Sequence, residues 1–329
     1  MGLGYELPVV IRARRAMTKR SSQTFCPRLW DEIYIDPDGD VFSCCHGKPM
    51  KFGNIYTHHL REICNNAAIQ GLRTLSLQGR LGCYRSCTLL NKENIRQTQE
   101  GTQIEYGNLS RLKIMFGEQC NIDCIMCWQH GPSKKVLDCE VFIKNVDITP
   151  FNSIEIQGGE PLYIKQALKF FDYAASQGKK VSFLTNGMLI NDQWAEKIAR
   201  HSAFIHFSLN AATAPTHERI NRGSRWTRVM ENIQRVRSAR DKHNSQLQIR
   251  GHMTIVIQNL HEIPQFIRNY VGFGFDWADF GCDYKVPFYL RLHPSFKKGL
   301  KAQISEALRD VTSPDTLGLH HLKLLGLAD

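Results

Sequence analysis

No stretch of the 329 residues approaches the ~20 consecutive apolar positions that a membrane-spanning helix needs. The apolar run at 7–11 is too short for the core of a signal peptide, and Arg12, Arg14 and Arg15 follow it at once. The sequence alone therefore gives the expectation of a cytoplasmic protein that does not enter a membrane. Low-complexity tracts and internal repeats are missing too, which excludes solenoids and collagen-like chains. No aromatic residues alternate with basic ones in the manner of a platform on which bases stack. With 42% hydrophobic and 22% charged residues the composition is that of a globular protein, which excludes intrinsic disorder. The length suits two domains, or one barrel-sized domain with an appendage.

What the chain does have is positive charge and cysteine. Forty-two Lys and Arg against 31 Asp and Glu leave a net charge of +11. Such a surface draws anions, including nucleic acid, but the basic residues are dispersed and suit solubility equally well. Eleven cysteines fall mostly in clusters, at 26, 44, 45, 64, 83, 87, 120, 124, 127, 139 and 282. A reducing compartment keeps thiols free, and an odd number cannot close into disulfides, so clustered cysteines point to metal.

From about residue 108 the sequence alternates two periodicities. Short apolar, β-prone runs lie at 112–116, 154–157, 181–184, 204–209, 249–257 and 277–280. Between them lie helical spacings, such as Ile164, Ala167, Leu168, Phe171 and Ala174, or Val229, Ile233 and Val236. Six strands separated by helices predict an α/β fold of parallel βαβ units, either a curved partial barrel or an open doubly wound sheet, with its site at the C-terminal strand ends. Residues 26–105 read as a smaller Cys-rich α+β module. It starts with a hairpin about Pro37-Asp38-Gly39 and continues in short helices near 60–68 and 69–78. A basic arm occupies 1–25, a core 106–285, and a tail 286–329 read as a packing helix with a loop.

Cys120, Cys124 and Cys127 form a C-x3-C-x2-C loop directly after the first of the six strands. Structural zinc takes four protein ligands, and iron–sulfur clusters are usually held by four cysteines. Three thiolates without a fourth imply a cluster with one iron open to a small molecule; the alternative is zinc completed by His130 or Cys139. Gln157-Gly158-Gly159-Glu160-Pro161 follows the second strand, Thr185-Asn186-Gly187 ends the third, and Ser208-Leu209-Asn210-Ala211 ends the fourth. Paired glycines let a backbone approach a ligand, and a carboxylate accepts from an ammonium.

In motif, order and strand-end placement, 108–285 resembles the radical S-adenosylmethionine (SAM) superfamily, whose signature is C-x3-C-x2-C after the first strand of a partial (β/α)6 barrel. The resemblance implies a [4Fe–4S] cluster on Cys120, Cys124 and Cys127, with its open iron chelated by SAM. Reductive cleavage then yields a 5′-deoxyadenosyl radical that abstracts hydrogen from a substrate. It implies a methionine-amine site at Gly158, Gly159 and Glu160, with further SAM contacts from Asn186, Ser208 and Asn210. Arg222 would meet the SAM carboxylate. Met126 stands where many members carry an aromatic against adenine. An electron donor such as flavodoxin or ferredoxin is implied as partner.

Cys26, Gly39-x4-Cys44 and the pair Cys83, Cys87 resemble the SPASM or twitch extension of the same superfamily. This implies an auxiliary iron–sulfur cluster, with zinc as the other reading. Here the module precedes the barrel, and its closing pair is C-x3-C where C-x2-C is commoner. Cys45 is an alternative to Cys44, and Cys64 reads as a buried thiol. Cys282, ending the sixth strand, is the expected hydrogen donor for the substrate radical, with Cys139 second. The expected substrate is a peptide or a sugar-like natural-product intermediate undergoing epimerisation, dehydrogenation or crosslinking. RNA or a nucleotide is the alternative substrate class, and a zinc-stabilised binding protein is the alternative outside enzymes.

Overall fold

The computed structural model describes residues 25–45, 50–82, 87, 101–129 and 135–329. Residues 1–24 of the basic arm, Cys83 and His130 lie outside the described residues.

All six expected strands form. They are β4 (Arg111–Ile114), β6 (Ser153–Ile156), β7 (Val181–Thr185), β8 (Phe204–Ser208), β10 (Gln248–Ile255) and β11 (Trp277–Cys282). Each pairs in parallel with the next, and helices such as Lys165–Ser176, Asp192–His201 and Trp226–Lys242 make the crossovers. The alternating periodicity is borne out, and the arrangement is the partial (β/α)6 barrel that the resemblance implies. Along β8 and β10 every second residue is buried: Ile205 and Phe207, then Ile249, Gly251, Met253 and Ile255. All of these but Gly251 pack with Phe170, Phe171, Ile198 and Val229 of the helices in one apolar cluster. The alternate residues, His206, Arg250, His252, Thr254, Trp277 and Asp279, share the opposite, half-exposed face. A period of two thus makes one face core and the other the lining of an open barrel.

Side-chain caps fix the helix starts. Asn66 accepts from the Ile69 amide, Asp138 from the Glu140 and Val141 amides, and Asn191 from the Trp194 amide.

The Cys-rich module is not a separate body. Its hairpin strands β1 (Glu32–Ile35) and β2 (Asp40–Phe42), with β3 (Gly53–Asn54), extend the barrel sheet, since β1 pairs in parallel with β4 from Glu32↔Arg111 to Ile35↔Ile114. At the other end the tail adds β12 (Leu317–Gly318), parallel to β11. The ten strands run β12-β11-β10-β8-β7-β6-β4-β1-β2-β3. The expected divisions at 105 and 285 therefore fall within one sheet and one core, because the apolar cluster runs from Leu29 to Ala328. The tail, expected to be one helix and a loop, holds the helices Val286–Leu292, Pro294–Asp310 and His320–Leu324 as well as the strand. No helix among the described residues is long and apolar enough to cross a membrane.

Arg73 ties the module together. Its guanidinium is buried and donates to the carbonyls of Leu29, Cys64 and Thr102 and to Asn65 Oδ1, at 2.8–3.1 Å. Cys64 lies beside it, 1% exposed, with its thiol pushed up to about 12 by burial. That is the buried thiol expected at this position.

Candidate metal and cofactor site

The cysteine loop leaves the C-terminal end of β4 and is held from two sides. On one side the short strand β5 (Asp123–Cys124) pairs antiparallel with β9 (Asn221–Arg222), and the Ile125 amide donates to the Ile220 carbonyl at 2.9 Å. Arg222 grips Asp123 through both its carbonyl and its carboxylate. On the other side the Gly-Gly turn presses against the approach to Cys120. Gly158 and Gly159 have φ of +80° and +54°, and a Cβ on Gly159 would stand 2.3 Å from the Gln119 carbonyl oxygen. Glycine is required here for both conformation and contact. The Glu160 amide donates to that same carbonyl at 2.9 Å, and the Gly159 amide donates to Gln129 Oε1 at 2.9 Å. Gln129, two residues past Cys127, escaped the sequence reading; only proximity to the loop could have drawn attention to it.

Glu160 is 1% exposed and accepts from the Leu162 amide at 3.2 Å, the Thr185 hydroxyl at 2.8 Å and the Asn186 amide at 2.7 Å. Burial outweighs these donors and pushes its carboxyl up to about 7. A carboxylate has about four lone-pair directions, so one remains for a further donor. Asn186, held by that bond, sends its side-chain amide to Asn121 Oδ1 at 2.9 Å and to Cys120 Sγ at 3.6 Å. The ends of β6 and β7 are thereby joined to the first cysteine.

The Asn210 side chain is spent on the protein. Its Nδ2 donates to Asn221 Oδ1 at 3.0 Å and its Oδ1 accepts from the Thr254 amide at 2.8 Å, with φ at +61°. It fixes the β8 end and, through Asn221, the segment that carries Arg222. His217, fully buried and held neutral by burial, supports the same segment through the Leu209 carbonyl and Ser224 Oγ. Ser208 accepts from Asn221 Nδ2 through its carbonyl at 3.3 Å, and Met126 is half-buried within the loop. Cys282, half-buried at the β11 end, has its thiol pushed up to about 11 by burial. Cys139 is wholly buried in the core at the start of the helix Cys139–Asn145, which leaves it no opening toward the loop or a substrate.

The donor set fits an iron–sulfur cluster. Burial, then Cys120, Cys127 and Asp123, pushes the Cys124 thiol up to about 12, so the three sulfurs share one field. They are nevertheless not all within 4.8 Å of one another. A single zinc would draw thiolates to ~3.8 Å separation, from Zn–S bonds of ~2.3 Å. Wider spacing suits a polynuclear core. In the module, Cys26 and Cys87 lie close enough for Cys87 to act on the Cys26 thiol, while Cys45 packs against Tyr34, Phe42 and Met115.

Comparison with known proteins agrees with this geometry. Residues 114–268 match the radical SAM superfamily, and residues 26–89 match an iron–sulfur cluster-binding domain, SPASM. Residues 114–268 thus carry a radical SAM domain, and a SPASM module lies ahead of it in the chain. The chain's cofactors are accordingly a [4Fe–4S] cluster and SAM, with auxiliary iron–sulfur in the module. The chain is 32% identical over 168 residues to a serine-type anaerobic sulfatase-maturating enzyme of Klebsiella aerogenes, covering 44% of this chain and 42% of that protein. It is 26% identical over 138 residues to a GTP 3′,8-cyclase of Desulforamulus reducens, covering 39% and 42%. The matched segments span about two fifths of those curated relatives. Streptococcus suis SuiB, crystallised with the precursor peptide SuiA, aligns at 13% identity and a TM-score of 0.46, over 84% of this chain and 68% of that one.

Proposed function

We propose that the protein abstracts a hydrogen atom from a peptide or sugar-like substrate held over the inner face of the barrel, leading to epimerisation, dehydrogenation or crosslinking. The observation that carries this reading is the pinning of the cysteine loop. Backbone pairing to β9, Arg222 on Asp123 and Asn186 on Cys120 all fix it at the C-terminal strand ends, above a half-exposed polar lining.

Cys120, Cys124 and Cys127 would hold the SAM cluster, and Cys26, Cys44, Cys83 and Cys87 the auxiliary one. Packing of Cys45 into an apolar cluster supports Cys44 as the ligand of that pair. When bound, the cluster and SAM supply a 5′-deoxyadenosyl radical as hydrogen abstractor. The chain's own residues do the positioning. Glu160 keeps one acceptor direction for the methionine ammonium and the Gly158–Gly159 backbone makes room for it, while Asn186 and Ser208 stand at the strand ends where the rest of SAM would lie. Arg222 would balance the carboxylate from its post on Asp123. Cys282, kept as a neutral thiol by burial, retains the hydrogen that a donor must give. A low-potential protein such as flavodoxin or ferredoxin would supply the electron.

The test is anaerobic. Chain reconstituted with iron and sulfide, given SAM and dithionite, should release 5′-deoxyadenosine. Cys120→Ala should abolish this while the module's iron remains. Product release by Cys120→Ala at the parental rate would refute the assignment. Steeply salt-dependent binding of RNA, with deuterium transfer from RNA to 5′-deoxyadenosine, would replace the proposed substrate class.

A further inference from the structure

Beneath the strand ends, three adjacent strands place a second constellation that the radical chemistry does not use. His206 of β8, His252 of β10 and Asp279 of β11 all project from the inner face, and their ligand atoms lie within 4.8 Å of one another. Among the described residues no other group of three His, Cys, Asp or Glu side chains meets that spacing. Asp279 Oδ1 stands 2.5 Å from His252 Nδ1 and 3.2 Å from His206 Nε2.

Three further features distinguish this group from an ordinary polar network. First, His206 Nε2 is buried and, although near Asp279, makes no aligned hydrogen bond. A buried polar nitrogen normally has a partner. Second, His252 is oriented from behind, because its Nε2 meets the Thr254 hydroxyl at 3.2 Å. An imidazole that ligates through one nitrogen characteristically has the other held in this way. Third, the three side chains keep 12–26% exposure, so the group opens to the barrel interior and is not sealed in the core.

We propose that His206, His252 and Asp279 form a mononuclear site for a divalent transition metal of the zinc class. Two imidazoles and one carboxylate are the donor set for zinc and its first-row neighbours, and they leave coordination positions open toward the interior. Tetrahedral bonds of ~2.0–2.1 Å put ligand atoms ~3.3–3.4 Å apart. The His206–Asp279 pair already has that spacing, and the His252–Asp279 pair needs to open by less than ~1 Å. Asp279 Oδ1 faces a ring nitrogen of each imidazole, so one carboxylate oxygen already stands between the two histidines. A neighbouring cation is Arg250, in register with His206 and Trp277. Its guanidinium lies over the Phe204 ring at 4.0 Å and shares the fields of Glu155 and Asp279. His321, from the C-terminal helix, lies within the field of both His252 and Asp279 and bonds the Phe280 carbonyl, so a further imidazole borders the group. The metal would tie β8, β10 and β11 together below the SAM site and present a Lewis-acidic centre to the interior.

The test uses the holoprotein, with its thiols already occupied by clusters. After brief chelation it is equilibrated with zinc, freed of unbound metal, and examined by elemental analysis and zinc-edge X-ray absorption. One zinc per chain should remain, with nitrogen and oxygen at ~2.0–2.1 Å and no sulfur at ~2.3 Å. His252→Ala and Asp279→Asn, with iron and sulfide unchanged, should lose that zinc. Thr254→Val, which removes only the support behind His252, should weaken it about 10–100-fold. No retained zinc, a sulfur shell, or equal retention by the variants would overturn the proposal. Should a variant fail to fold, the wild-type spectrum decides alone. None of these readouts depends on radical chemistry, so the proposed function and the metal site stand or fall separately.

Discussion

Asn186 and Glu160 show how one residue can serve two strand ends at once. The Asn186 amide reaches Cys120 Sγ, and hydrogen bonds to ligand sulfurs raise a cluster's reduction potential. With Cys120 as a cluster ligand, Asn186→Ala should shift the potential to more negative values and slow 5′-deoxyadenosine release about 10-fold at unchanged iron content, as read by spectroelectrochemistry and turnover. Glu160 gives a pH effect of defined sign. Its carboxyl sits near 7 in the fold against an ordinary value of 4.5, so the folded state binds the extra proton between those limits. Stability from this group is full below about pH 4.5 and is lost as pH rises through 7. Thermal unfolding of Glu160→Gln should lack that decline, and an unchanged pH profile would contradict the assignment.

At the level of elements, burial pattern decided what could be read from sequence. Five of the six barrel strands alternate buried and more exposed residues, β7 is buried along most of its length, and each lies within two residues of its expected ends, as does the hairpin about Gly39. The two-residue strands β3, β5, β9 and β12 carry no periodicity to detect, because they are defined only by their partners. The same reason hid the histidine group. His206, His252 and Asp279 lie far apart in sequence on strands whose lining positions look merely polar, and only parallel register brings them together. The cysteine loop was legible because its donors are local in sequence; the bonds that pin it, from Gln129, Asn186 and Arg222, are not. Within the module, the helix Ala67–Leu77 depends on Arg73, which faces four acceptors in a buried setting. Arg73→Ala would leave them unpaired and should cost about 3 kcal/mol or more, measurable by chemical denaturation, with Arg73→Lys recovering only part of it.

Considered whole, the described residues share one ten-stranded ladder that runs from the module through the barrel to the tail. The module contributes the β1–β2–β3 edge and the tail contributes β12, so its position before the barrel in the chain does not separate it from the barrel in space. Removing residues 1–105 would bare the outer side of β4 as an unpaired edge next to the cysteine loop. Residues 106–329 expressed alone should therefore self-associate, which light scattering would detect. Recognition between the halves is written in main-chain hydrogen bonds and not in the peptide link between them. The gene could thus be cut in two at that point and the pieces, co-expressed from separate messages, should find each other and copurify as a nicked form of the same fold.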